Sequence, residues 1–183
     1  MLLMPRTMLL LSRFKRARGG ATVVEFAIVA LPFFMLLYAI FDVALIFFAQ
    51  STLENGIMAA ARQIRTGQAQ SAGLNAAQFR TLVCDEISML LSCDASLGLD
   101  VRTYGGFGSV QFTPALDDSG NLTGAMSFDP GSAGDVVVIR AFYAWPMLTP
   151  TVGTNFVNMA GGHRLLEAST AFRNEPYKGP IGN

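Results

Sequence analysis

The chain has 183 residues, with 13 Lys and Arg against 13 Asp and Glu, one histidine and two cysteines; 51% of it is hydrophobic and the mean hydropathy is +0.40. That length allows one membrane helix and one small domain. The charge balance provides no basic patch for nucleic acid, and one histidine with two cysteines leaves a zinc site short of nitrogen and sulfur ligands.

The N-terminus is basic, with Arg6, Arg13, Lys15, Arg16 and Arg18 followed by Gly19-Gly20. After Ala21-Thr22-Val23-Val24-Glu25-Phe26 the chain runs from Ala27 to Phe41 without charge, meets Asp42, and resumes through Val43 to Ala49. The 23 residues from Ala27 to Ala49 reach about 35 Å as a helix, enough to cross a bilayer. All five leading cations lie on the N-terminal side, which predicts a cytoplasmic N-terminus and everything beyond about residue 50 outside the membrane. A cleaved secretory signal fits poorly, because the span exceeds the usual ~7 to 15 apolar residues and the nearest small-x-small site, Ala59-Ala60-Ala61, lies well past its end.

Glu25 is the residue that a plain membrane anchor leaves unexplained. An unpaired carboxylate in hydrocarbon costs about 2.5 to 3.5 kcal/mol at mid-span and less near an interface, so it needs a partner. A cut between Gly20 and Ala21 would create an α-amine one helical turn from Glu25, and the amine of a neighbouring copy could serve as well. The acid then sets an assembly register.

These residues resemble the prepilins, which a prepilin peptidase cuts after a glycine and which carry glutamate at the fifth residue of the mature chain. Gly20, Ala21, Glu25 and Phe26 match that pattern, and the Glu-Phe pair is similar to that of Tad (tight adherence, Flp-type) pilus components. The run from Arg16 to Glu54, with Arg18-Gly19-Gly20-Ala21, Val24-Glu25-Phe26-Ala27, Leu31-Pro32 and Phe48-Ala49-Gln50-Ser51-Thr52-Leu53-Glu54, resembles a TadE-like minor pilin, as does the C-terminal Phe172-Arg173-Asn174-Glu175-Pro176-Tyr177. The resemblance implies processing at Gly20 and Ala21, pairing by Glu25 after cleavage, and recognition or helix packing by Phe26. The leader cations Arg13, Lys15, Arg16 and Arg18 would stay with the removed residues 1–20. That removal takes away 5 of the 13 cations and none of the 13 acids, leaving side chains that sum to −5.

Beyond the span the helix is expected to continue, because Leu53, Ile57, Ala60, Ala61 and Ile64 recur at helical spacing and Gly67 provides a stop. A helix from Ala21 to Thr66 would be about 69 Å long, with Asn55-Gly56 as a weak point where it could bend. Asp42 lies 17 residues beyond Glu25, about 26 Å along a helix, and reads either as an interfacial acid with water nearby or as a contact with another subunit's helix. Pro32 is either a packing kink or a tolerated membrane-helix proline.

A polar stretch from Gln68 to Gly73 leads to a second helix with Asn75 as its cap and Phe79, Leu82, Val83, Ile87, Leu90 and Leu91 as one apolar stripe. Cys84 and Cys93 lie on the side expected to be oxidising. In one continuous helix nine residues would hold them about 13.5 Å apart on opposite faces, so a disulfide requires the helix to end around Leu91 and the chain to turn back. Their spacing is not that of a CxxC redox pair, and a structural disulfide is the expectation.

The remainder reads as antiparallel β. Leu97 to Tyr104 alternates, Val110 to Phe112 is a candidate partner, Asp135 to Trp145 is rich in Val, Ile and aromatics, and Leu165 to Phe172 alternates again. Turn-rich segments intervene at Tyr104 to Gly108, Asp117 to Gly124 and Asp129 to Gly134. Gly105-Gly106-Phe107-Gly108 lacks dinucleotide-loop spacing and reads as a hairpin. Asp117, Asp118 and Asn121 lack the further ligands of an EF-hand and read as a tight turn. His163 has no acid and nucleophile near it in sequence.

The expected fold is α+β: a leader at 1–20, a transmembrane and projecting helix at 21–66, and at 67–183 a small pilin-like head with a second helix and a short antiparallel sheet. The expected function is that of a non-enzymatic minor pilin or pseudopilin for assembly or initiation of a Tad-type adhesion pilus, in the bacterial inner membrane with a periplasmic head. Its implied partners are the prepilin peptidase, other Tad pilins and the inner-membrane assembly platform, with no cofactor. The mature length of 163 residues favours a minor over a major subunit. The alternatives are a periplasmic binding or sensor module on an uncleaved anchor, and a hydrolase using His163.

Overall fold

The computed structural model describes residues 20–123, 126–147 and 157–177. Three α-helices precede a three-stranded sheet: α1 (Gly20–Arg65), the short α2 (Gln68–Ser71) and α3 (Ala76–Ile87), then β1 (Leu97–Tyr104), β2 (Val136–Pro146) and β3 (His163–Arg173). The chain forms two compact units, one ending at Phe41 and the other starting at Asp42. The architecture is α+β, as the sequence predicts.

In the first unit α1 is apolar all round, and its side chains from Val23 to Phe41 are largely exposed, Val23 at 67% and Phe41 at 68%. A helix satisfies its own backbone groups, which is what lets such a surface face hydrocarbon. The helix runs through Pro32 without interruption.

The second unit takes the remaining turns of α1 into its core. Ala49, Leu53, Ile57, Ala60, Ala61 and Ile64 are buried, three to four residues apart, while Glu54, Met58 and Arg62 face outward. The helix continues through Asn55-Gly56 without interruption. Gly56 is buried, and a Cβ there would overlap Ile87 Cγ2, so the glycine lets α1 and α3 approach closely.

α3 starts in a capping box: Asn75 Oδ1 accepts from Gln78 N at 3.0 Å and Gln78 Oε1 accepts from Asn75 N at 2.9 Å. Phe79, Val83 and Ile87 form its buried stripe, continued by Leu91. The helix ends at Ile87, four residues earlier than expected, because the chain turns through Ser88 to Leu91, with Leu91 N on Ile87 O at 3.0 Å. This return brings Cys93 to Cys84, and the two form a disulfide with Cα atoms 5.8 Å apart.

The sheet is antiparallel in the order β1-β2-β3, with Val101 opposite Ile139 and Ile139 opposite Thr170. One face packs Leu97, Val101, Val137, Ile139, Ala141, Tyr143, Leu166 and Ala168 into the core with α1 and α3. The other face carries Asp100, Arg140 and Glu167. Asp100, 5% exposed, holds Arg102 Nε at 2.9 Å and accepts from Ser127 N at 2.9 Å. Arg140, 7% exposed, binds Glu167 at 2.9 Å, donates to Thr113 O at 2.7 Å and lies over the rings of Phe142 and Phe112.

Two expectations for this region are corrected. Residues Val110 to Phe112 are not a strand: β2 occupies the inner edge of β1 along all eight residues, and the segment instead lies over Arg140. Gly105-Gly106-Phe107-Gly108 does not close a hairpin but enters a 3₁₀ turn at Phe107–Ser109. The Asp117 region is the expected tight turn, its Oδ1 accepting from Ser119 N and Asn121 N, each at 2.9 Å.

Candidate functional site

The candidate processing site is at the first residue of α1. A Cβ at Gly20 would meet nothing within 4 Å, so packing among the described residues does not demand glycine there. Ala21 follows within the helix, and the leader cations Arg13, Lys15, Arg16 and Arg18 lie outside the described residues. One turn on, Glu25 is exposed on a surface of Val24 (59% exposed), Phe26 (70%) and Ile28 (69%). Its carboxylate is the sole ionisable side chain of α1 before Tyr38 and Asp42. The helix is long and apolar enough to cross a membrane by length and composition, with a hydropathy of 2.3 in its most apolar stretch and none of that stretch buried.

The sequence reads Asp42 as an interfacial acid with water nearby or as a contact with another subunit's helix; the structure covers it within its own chain. It is 3% exposed and opens the stripe that continues through Leu45, Ile46, Ala49 and Leu53. Seven residues are nearly two helical turns, so Asp42 shares the covered side of the helix with Ala49.

The C-terminal Phe172 to Tyr177 fastens the end of α1. Glu175 N donates to Arg65 O at 2.8 Å, and the Glu175 carboxylate pairs with Arg65 at 3.3 Å. Gly67 ends the helix with φ +77°, and the Tyr177 ring occupies the space a side chain at Gly67 would need. Asn174, 1% exposed, donates through Nδ2 to Pro130 O and Ser132 O, each at 2.9 Å. Burial raises the Tyr177 phenol above its ordinary value, with the charge of Asp135 adding to it. The sequence points to this segment only through resemblance; its physical role is to clamp the helix terminus and the 130–135 turn. His163 serves its own turn, with Nδ1 3.2 Å from Ala160 O.

Residues 20–62 match the family model for TadE-like protein. The N-terminal helix is TadE-like. The match begins at Gly20, includes Glu25, Phe26 and Asp42, and ends inside α1. No curated protein and no solved structure matches the chain. Over residues 20–62 the chain is similar to proteins of Tad pilus systems. Among the described residues one candidate membrane helix, near the N-terminus, fits a membrane-anchored, pilin-like protein.

Proposed function

We propose that this TadE-like chain is a minor pilin or pseudopilin, cut after Gly20 by a prepilin peptidase and used in the assembly or initiation of a Tad-type adhesion pilus. The observation that carries the reading is a TadE-like match starting at Gly20, with an exposed Glu25 five residues later on an otherwise uncharged helical surface. Cleavage between Gly20 and Ala21 gives Ala21 an α-amine at i, i+4 spacing from Glu25, so the acid can be neutralised within its own chain or by a neighbour's amine. The exposed Phe26 adds apolar area beside that pair, suited to peptidase recognition or helix packing. The protein acts without catalysis, anchored in the inner membrane with its N-terminus cytoplasmic and its head periplasmic. It meets the other Tad pilins and the assembly platform there.

The test is the N-terminal mass spectrum of the protein from its native membrane. A mature chain beginning at Ala21, replaced by an intact leader on Gly20→Glu substitution, is the expected outcome. An intact leader in the unaltered protein, with peptidase present, would leave an uncleaved anchor and remove the role of Glu25.

A further inference from the structure

The two edges of the sheet differ. On β1, Val101 donates to Ser127 O at 2.8 Å and accepts from Asp129 N at 2.9 Å, while Arg80 donates to Leu97 O at 2.6 Å. That edge is closed. On β3, Glu167 O accepts from Gln50 Nε2 at 2.8 Å and Leu165 N donates to Asn158 Oδ1 at 2.7 Å, so the odd-numbered residues turn their backbone groups away from β2. Ser169 and Ala171 continue that alternation, and among the described residues their outward N–H and C=O groups have no partner. Ala171, with Thr170 and Phe172, borders a groove of about 340 Å³ whose other wall is Met58, Ala61, Arg62 and Arg65 of α1.

We propose that this open edge receives an extended acidic segment of a different pilus subunit, which adds as a fourth strand along residues 169–173. Strand addition uses unpaired ladder groups for affinity and adjacent side chains for specificity, and an open edge left unguarded is otherwise an aggregation hazard. The charge selects the occupant. Arg65 is paired with Glu175, but among the described residues no carboxylate lies within ion-pair distance of Arg62 on the same wall. A second copy docking edge to edge through its own β3 would bring its Arg62 and Arg65 wall to the same groove, like charge against like, which disfavours it. The inference rests on the pilus reading above, which supplies the other subunits.

The test compares the full chain purified in detergent with the same chain in its complex solubilised from native membrane. Residue-resolved amide exchange should slow at least about tenfold at Ser169 and Ala171 in the complex, while Thr170 and Phe172, which face β2, stay unchanged. A photo-reactive side chain at Met58 should couple to a segment of another chain that contains Asp or Glu. Ala171→Pro removes only the outward N–H, a change edge strands tolerate, and should abolish both signals while leaving cleavage after Gly20 intact. Arg62→Glu, on the exposed helix surface, should lower the coupling without touching the strand. Equal exchange at Ser169 and Ala171 in both samples, or coupling only to lipid or to a second copy, overturns the docking site. If the leader is still removed in that case, the assembly reading stands.

Discussion

Replacing Gly56 with alanine tests whether this glycine is a hinge or a contact. In an exposed helix interior the change would stabilise by about 1 kcal/mol, because glycine loses more backbone entropy than alanine. Here the added Cβ overlaps Ile87 Cγ2, and Ile87 is fully buried. The disulfide from Cys84 to Cys93 and the closed stripe of Phe79, Val83 and Leu91 restrain α3 from moving aside. Overpacking in such a site costs about 1–3 kcal/mol, and the upper part of that range applies where neither helix can shift. The net expectation is a destabilisation of about 1–2 kcal/mol, or a melting temperature lower by about 3–6 °C for a chain of this size. Near-UV circular dichroism of the full chain in detergent, dominated by the single tryptophan Trp145, reads it. In an Ile87→Ala background, itself about 2–5 kcal/mol less stable, the same Gly56→Ala change should become stabilising, a sign reversal that a double-mutant cycle measures. A higher melting temperature for Gly56→Ala alone would refute the close-contact account.

Other parts of the head give equally definite expectations. Replacing Cys84 and Cys93 by serine should cost about 2–3 kcal/mol in the chain-entropy account of a loop this short, measured by chemical denaturation against the oxidised parent. Asn174→Asp exchanges a donor of two hydrogen bonds for an acceptor facing Pro130 O and Ser132 O, and should cost more than about 2 kcal/mol at neutral pH; the loss should shrink in acid, where a protonated carboxyl can donate again. The raised Tyr177 pKa makes its contribution to stability full below the ordinary value of 10.0 and lost as pH rises through the higher folded value, so Tyr177→Phe should flatten the alkaline decline of the melting temperature.

The local elements were readable because each depends on spacing within one segment. The α1 stripe from Leu53 to Ile64, the Asn75 cap, the return from Cys84 to Cys93, the two alternating strands and the Val- and Ile-rich strand between them all follow from period, composition and turn chemistry. What was not readable is which segment meets which. Alternation marks Leu97 to Tyr104 as a strand but does not name its partner, and the nearest apolar run, Val110 to Phe112, lost that place to the longer, β-branched Val136 to Ile139. Asp100 and Arg140 sit on what alternation marks as a solvent face; a loop distant in sequence covers it, with Ser127 N on Asp100 and Thr113 O on Arg140.

The two acids of α1 show the same limit and how far it can be overcome. Both interrupt an apolar run, and their distance along the helix does not tell them apart. Phase does: at about 100° per residue, Asp42 lies within roughly 20° of Ala49 and Leu53, whereas Glu25 is about 100° away from Asp42. The acid in phase with the head's own stripe is covered by the head, at 3% exposed. Glu25, out of phase with that stripe, is exposed on the apolar surface of the TadE-like segment, and in the proposed reading its charge is answered by the α-amine of Ala21 or by another chain.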